Sequence, residues 1–114
     1  MRSNTKILIQ VRGPSFLSQG DENAMFAWLG KINCISKVSG VGADICLEIK
    51  VNQVDEECMR ELLAIFNRYK MKLFILRPIA EKKRYKWLKN KTAYWYKGLW
   101  ESFAYKQQAA TRKQ

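Results

Sequence analysis

The stretch ADICLEIKV, residues 43–51, shows the most regular alternation of apolar and polar side chains in the sequence. An alternation with a period of two is typical of a β-strand that buries one face and exposes the other. The side chains expected to point inward are those of Ile45, Leu47, Ile49 and Val51. Gly40 and Gly42 precede this strand and permit a tight turn, so residues 34–39 are predicted to pair with it as a hairpin.

The elements on either side of this hairpin are also marked by hydrophobic periodicity. Residues 5–12 alternate in the same way and predict a first strand. Residues 15–32 carry apolar side chains at helical spacing, and Ser18 or Asp21 can cap the first turn of that helix. A second helix is predicted to begin at Asp55. Its buried stripe consists of Met59, Leu62, Leu63, Phe66 and Tyr69.

The last predicted element of the sheet is a fourth strand or extended segment at residues 71–76, an apolar run that a proline closes. The resulting order predicts an α+β domain with a ferredoxin-like βαββαβ sheet and two covering helices. A C-terminal helical extension, basic and aromatic, is predicted for residues 81–105, as one broken helix or two short ones. The single α+β domain then spans residues 1–105, and residues 106–114 are predicted to form a flexible tail.

Charge is distributed unevenly along the 114 residues, which carry a formal net charge of +11. Residues 81–114 contain ten basic side chains against two acidic ones, so most of the excess lies in the last third of the chain. A segment this basic and aromatic must lie against the body of the domain, a polyanion, a membrane or a partner protein.

The residue types present restrict the chemistry. The chain contains no histidine, which removes the commonest general base and the commonest metal ligand. Cys34, Cys46 and Cys58 form no C-x-x-C pair and lie within apolar patterns, so we expect reduced, mostly buried thiols. The glycines form no phosphate-binding loop. We therefore predict no enzymatic activity, with no catalytic residues, no metal, no cofactor and no small-molecule substrate.

The hydropathy of the chain bears on its location. No apolar run approaches the roughly 20 residues that a membrane-spanning helix needs. Residues 1–10 lack the long apolar core of a secretory signal, so the expected location is cytoplasmic. A membrane partner is not favoured, although a peripheral role for the tryptophan- and lysine-rich extension stays open.

The extension reads EKKRYKWLKNKTAYWYKGLWESF at residues 81–103 and admits three interpretations. It can pack on the domain with its lysines outside, bind nucleic acid, or lie on an anionic membrane. Base stacking on the sheet, as in RNA-recognition modules, is disfavoured because no outward-facing residue of the two predicted central strands is aromatic. The side chains expected to be buried in the packed arrangement are those of Trp87, Leu88, Trp95, Leu99 and Phe103.

Four segments in a fixed order carry a family resemblance. They are PSFLSQGDENAMFAWLGKI (14–32), VSGVGADICLEI (38–49), RELLAIFNRYKMKL (60–73), and Trp87 followed by KNKTAYWYKGLW (89–100). This pattern resembles small stand-alone bacterial proteins of toxin–immunity loci, including immunity proteins of contact-dependent growth inhibition systems. The resemblance covers roughly residues 7–103. Its sharpest motifs are R-E-L-L-x-x-F-x-R-Y at 60–69 and the tryptophan followed by A-Y-W at 93–95.

The chain departs from that pattern in two places. The residue after A-Y-W is often histidine in the family, and here it is Tyr96. Residues 81–86, EKKRYK, are also more basic than the family pattern. A lost histidine is compatible with an immunity protein, because such a protein needs no catalysis.

The resemblance implies an immunity protein that binds a cognate toxin domain in the cytosol and neutralises it in a stoichiometric complex. Many such toxins are nucleases and are basic, so a partner of this basic chain must carry an acidic patch, or the acidic side chains here must form the contact face. Those acids are Asp21, Glu22, Asp44, Glu48, Glu56 and Glu57. The alternative function is nucleic-acid binding by the basic aromatic segment.

The aromatic and basic side chains of the extension are the predicted contacts of the partner, because aromatic anchors and cations dominate binding surfaces. Trp87 and Trp95 are assigned to the core. The predicted partner-binding residues are Lys82, Lys83, Arg84, Lys86, Lys89, Lys91, Tyr94, Tyr96, Lys97 and Trp100.

Overall fold

Three antiparallel strands form the sheet in the computed structural model, which describes residues 5–101. The fold is α+β, as predicted, and the described part of the chain contains four α-helices. The elements are β1 (Lys6–Arg12), α1 (Gln19–Lys31), β2 (Ile35–Val41), β3 (Asp44–Lys50), α2 (Glu56–Arg68), α3 (Arg77–Lys83) and α4 (Tyr96–Trp100). Short 3-10 segments lie at Val51–Gln53, Leu73–Leu76 and Lys86–Lys89.

The strand with the regular alternation, β3, is the centre of the sheet, whose order is β1-β3-β2. Leu47 of β3 lies opposite Ile9 of β1 and Val38 of β2, so the apolar side chains of all three strands share one face. The predicted hairpin is confirmed. Its turn uses Gly42 at φ 61°, in the left-handed region that favours glycine.

Both long helices begin at the predicted caps. The Ser18 hydroxyl accepts a hydrogen bond from the Asp21 N–H at 3.1 Å, and the Asp21 carboxylate accepts one from the Leu17 N–H at 2.9 Å. The Asp55 carboxylate accepts a hydrogen bond from the Cys58 N–H at 2.8 Å. These side chains satisfy N–H groups that have no partner within the first turn of a helix.

The predicted fourth strand is wrong, because residues 73–76 form a 3-10 helix that continues into α3. Leu73, Phe74 and Leu76 are all buried, so this run has no exposed alternate face of the kind that a strand beside β1 would need. Pro78 lies in the first turn of α3, where its missing N–H has no helical partner to lose. Within residues 5–101 the order is β-α-β-β-α, and the complete ferredoxin-like sheet does not form.

The predicted C-terminal extension is helical but differs in detail. Of the two predicted forms, the structure has two short helices, α3 and α4, with a 3-10 turn between them, and the first begins at Arg77 and not at residue 81. Ile79, Leu88 and Leu99 belong to the same hydrophobic cluster as the sheet and the long helices. Phe103 and the predicted tail at 106–114 lie outside the described residues.

The described residues contain neither a membrane-spanning helix nor a cluster of potential metal ligands. None of their helices is both long enough and apolar enough to cross a bilayer. No group of three or more potential metal-ligating side chains comes together among residues 5–101.

Candidate protein-binding surface

The two motif segments that lie far apart in sequence meet in space. The Arg60 guanidinium carbon, from the first residue of R-E-L-L, lies 3.9 Å from the centroid of the Trp87 ring. Trp87 in turn makes an edge-to-face contact with Trp95, the last residue of A-Y-W, with ring centroids 5.5 Å apart. A cation over an indole face and an edge-to-face ring pair are both favourable geometries. Tyr85 stacks on Trp87, and Tyr94 makes an edge-to-face contact with Trp95 at 5.0 Å between centroids. We call Arg60, Tyr85, Trp87, Tyr94 and Trp95 the tryptophan cluster.

The tryptophan cluster is fixed to the body of the domain by hydrogen bonds and stacking. Tyr85 lies parallel to Trp87, with centroids 5.5 Å apart and 6° between the planes, and its hydroxyl donates to the Val54 carbonyl at 3.3 Å. Burial raises the pKa of Tyr85, with a smaller contribution from the nearby carboxylate of Glu56, so the hydroxyl stays protonated. The indole N–H of Trp87 is buried without an acceptor among the described residues.

A cleft of about 570 Å³ opens between the end of α3, the 3-10 turn that follows it and the end of α4. We call it the basic aromatic cleft. It is lined by Ala80, Glu81, Arg84, Tyr85, Lys86, Leu88, Lys89 and Trp100. Tyr85 therefore belongs both to the cleft wall and to the tryptophan cluster.

The aromatic wall of the cleft is held in place by the backbone. The Leu88 carbonyl accepts hydrogen bonds from the indole N–H groups of Trp100, at 2.8 Å, and Trp95, at 3.0 Å. The Lys89 ammonium lies 3.8 Å from the centroid of the Trp100 ring, and Arg77 Nε donates to the Leu99 carbonyl at 2.7 Å. These contacts join α3, the 3-10 turn and α4 into one layer.

Arg84 adopts an unusual backbone conformation at the rim of the cleft. It ends α3 in the left-handed region, at φ 56° and ψ 32°, and its N–H donates to the Ala80 carbonyl at 3.0 Å. Helices often end in this way, usually with glycine, because a side chain there costs about 1 kcal/mol or more. Lys70, which follows α2, is the other non-glycine residue of the described chain in this region, at φ 59°.

The structure divides the predicted contact residues into separate groups. Arg84, Lys86, Lys89 and Trp100 come together in the basic aromatic cleft. Tyr94 belongs to the tryptophan cluster but does not line the cleft; it is 53% exposed, beside a second cavity of about 410 Å³ that Trp28 and Arg68 also line. The remaining predicted residues contribute to neither cavity and are Lys82, Lys83, Lys91, Tyr96 and Lys97.

Three charged or aromatic residues of the surface were missed by sequence reasoning, as was Ala80, which also lines the cleft. Glu81 and Tyr85 line the cleft, and Arg60 reaches the tryptophan cluster from α2. Arg60 is exposed on α2 and is the first residue of the R-E-L-L motif. Its position in that motif was the signal in the sequence that could have identified it. Of the tryptophans assigned to the core, Trp95 is buried and Trp87 is only half-buried.

The alternative acidic contact face is weakened by pairing within the sheet. Glu48 accepts a hydrogen bond from the Ser36 hydroxyl at 2.7 Å and forms an ion pair with Lys6 at 3.4 Å, and these partners lower its pKa. Asp44 is paired with Arg12 at 3.4 Å and accepts a hydrogen bond from Gln10 at 2.7 Å. Two of the six acids are thus already compensated by neighbouring side chains.

Comparisons of the chain with models of protein families, with curated proteins and with solved structures gave no match.

Proposed function

We propose that this chain is an immunity-type protein that neutralises a bacterial toxin domain by binding it in a stoichiometric complex in the cytoplasm. The observation that carries the proposal is the basic aromatic cleft joined to the tryptophan cluster, a rigid surface of tryptophan, tyrosine, arginine and lysine. The family resemblance of the motifs supports the same function, because its two sharpest motifs build the tryptophan cluster.

The composition of this surface suits a protein partner. Tryptophan, tyrosine and arginine are the residues that most often dominate the binding energy of protein interfaces. Trp100 and Tyr85 are held by hydrogen bonds and ring contacts, so little conformational entropy is lost when a partner binds. A preformed surface of this kind can give high affinity with an interface of ordinary size.

The charge of the surface indicates the chemistry of the partner. A chain of net charge +11 attracts a partner with a complementary acidic patch and repels one that is basic. The toxin domain should therefore present acidic side chains where it meets the cleft.

Co-expression tests the proposal. The chain is expressed with the toxin domain encoded immediately upstream of it, and the expected result is that cells survive and that the two proteins purify together in equal amounts. Variants R60Q and K89E should weaken rescue, whereas K37E on strand β2 is the matched charge change outside the surface. Failure of the intact, folded chain to rescue cells would contradict the proposal.

Nucleic-acid binding is the second candidate, because the same cleft combines cations with aromatic rings. Lysines and arginines that neutralise phosphates release counterions, so the affinity for DNA or RNA should then fall steeply between low and physiological salt. A gel-shift titration with a labelled single-stranded oligonucleotide at several salt concentrations separates the two functions. Salt-independent or absent binding would contradict this second candidate.

A further inference from the structure

The basic aromatic cleft contains three cations that no acidic side chain of residues 5–101 compensates. Arg84, Lys86 and Lys89 line the cleft, and the ion pairs formed within this part of the chain lie elsewhere, on the sheet. Glu81 lines the cleft as well but lies within ion-pair distance of none of the three. The cleft therefore carries an excess of positive charge that a bound group can neutralise.

Neither the side chains of residues 1–4 and 102–114 nor a second copy is suited to supply that group. Residues 102–114 contain Lys106, Arg112 and Lys113 and no acidic side chain, so their side chains cannot compensate the cleft. A second copy carries the same net charge of +11, and bringing two such molecules together is opposed by like-charge repulsion. An anionic group of another molecule would therefore complement the cleft.

We infer that the basic aromatic cleft receives a short acidic segment of the partner protein, with its carboxylates on the three cations and an apolar side chain against Trp100. This inference rests on the proposed function and names the part of the toxin domain that enters the site. The cleft volume of about 570 Å³ lies in the range of sites that enclose a small ligand or a few side chains.

The lining of the cleft favours a peptide over a row of phosphates. Glu81 places a carboxylate in the wall, and a peptide can set an amide or an apolar side chain beside it, whereas a phosphate chain brings further negative charge. Leu88 and Ala80 add apolar surface that a peptide side chain can cover. The Trp100 indole N–H is already used by the Leu88 carbonyl, and the Lys89 ammonium lies over one face of the ring. The rest of the ring is the apolar surface that Trp100 contributes to the cleft wall.

The backbone of Arg84 provides a variant that separates binding from folding. Glycine at this position would adopt the left-handed conformation without strain. R84G therefore removes the guanidinium, and the C-terminal cap of α3 should be as stable as in the wild type or more stable. Lys70 has the same conformation after α2 and does not line the cleft, which makes K70G the matched control. Neither substitution is expected to lower the melting temperature by more than a few degrees.

The test uses the full chain and a short fluorescein-labelled peptide of aspartate and glutamate residues with one phenylalanine. A second peptide carries asparagine and glutamine in place of the acids, and a labelled oligothymidine is the third probe. Fluorescence anisotropy should show binding of the acidic peptide that is about tenfold tighter than that of the amide peptide. R84G and K89Q should each weaken it about fivefold or more, with K70G unchanged.

Each outcome decides the inference. Failure of the acidic peptide to bind, equal binding of the two peptides, or insensitivity to R84G would overturn it, as would tighter binding of oligothymidine through the same residues. The rescue assay distinguishes this failure from failure of the proposed function. If R84G and K89Q abolish peptide binding but still rescue cells fully, the immunity function stands and the cleft is not the contact. If the wild-type chain does not rescue, the proposed function itself fails.

Discussion

At the scale of single residues, two helical glycines have opposite surroundings. A Cβ added to Gly98 in α4 would lie 2.9 Å from Leu73 Cδ1 and 3.2 Å from Leu73 Cβ, whereas a Cβ on Gly30 in α1 would meet nothing within 4 Å. The close approach at Gly98 lets α4 pack directly on the 3-10 segment Leu73–Leu76. Trp100, which lines the cleft, lies two residues after Gly98 in the same helix.

The two glycines therefore respond differently to alanine. G98A should lower the free energy of unfolding by about 1–2 kcal/mol, because overpacking outweighs the gain in helix propensity. G30A should raise the free energy of unfolding by up to about 1 kcal/mol, since only the propensity changes. Urea denaturation of both variants provides the measurement. A stabilising G98A would show that α4 does not pack as closely as described.

Arg60 illustrates an interaction between residues 27 positions apart. Its guanidinium lies over the Trp87 ring, so R60Q should lower the free energy of unfolding by about 0.5–1 kcal/mol. R68Q is the control, because Arg68 is also exposed on α2. It should lower the free energy of unfolding by less than R60Q does. A double-mutant cycle with W87L measures the interaction itself. A coupling energy of zero would contradict the contact.

Cysteine reactivity reports on burial. Burial raises the pKa of Cys34 to about 12, with the adjacent Cys58 thiol adding to the shift, so Cys34 stays a neutral thiol well above physiological pH. Cys46, on the outward face of β3, is partly exposed. Iodoacetamide at pH 8 should modify Cys46 at least about tenfold faster than Cys34 or Cys58, as followed by peptide mass spectrometry. In urea all three cysteines should be modified at similar rates. Similar modification rates in the folded chain would contradict the burial of Cys34 and Cys58.

At the scale of elements, α2 depends on its capping residue. The Cys58 N–H donates to the Asp55 carboxylate and lowers the pKa of Asp55 below its ordinary value of 3.8. A carboxyl whose pKa is lower in the folded state stabilises the fold above the unfolded-state pKa and loses that contribution as the pH falls through the folded-state pKa.

D55A should therefore be less stable than the wild type at pH 7, and the difference should shrink as the pH falls below about 4. D55N keeps an oxygen acceptor that does not titrate, so its stability should be closer to that of the wild type at pH 7. Urea denaturation across this pH range gives the comparison. A difference between D55A and the wild type that is the same at pH 7 and at pH 3 would exclude this titration.

The elements also show how far periodicity can be used. β3 and α2 were predicted because each has one buried face and one polar face. The apolar residues recur every two positions in β3 and about every 3.6 positions in α2, which distinguishes a strand from a helix. The segment 73–76 is buried almost all round, and an apolar run without a polar face does not distinguish strand from helix. Pro78 could end a strand or begin a helix, and only the packing of α3 on the core decided between them.

At the scale of the whole molecule, the composition of the candidate surface could be predicted, but its geometry could not. The density of lysines and aromatic residues after residue 81 marked the segment, and four of the ten predicted residues share the cleft. Tyr94 and Trp100 line different cavities, and Arg60 of α2 contacts Trp87. Both arrangements depend on tertiary contacts. No local pattern contains these contacts, because they join residues distant in sequence.

Hydrogen–deuterium exchange of the chain, free and mixed with the toxin domain that the proposed function requires, tests most directly whether residues 84–100 form the contact. We expect the toxin domain to slow exchange in residues 84–100 and to leave the backbone amides of β1 and β2 unchanged. Slowed exchange confined to β1 and β3, with residues 84–100 exchanging as in the free chain, would contradict it.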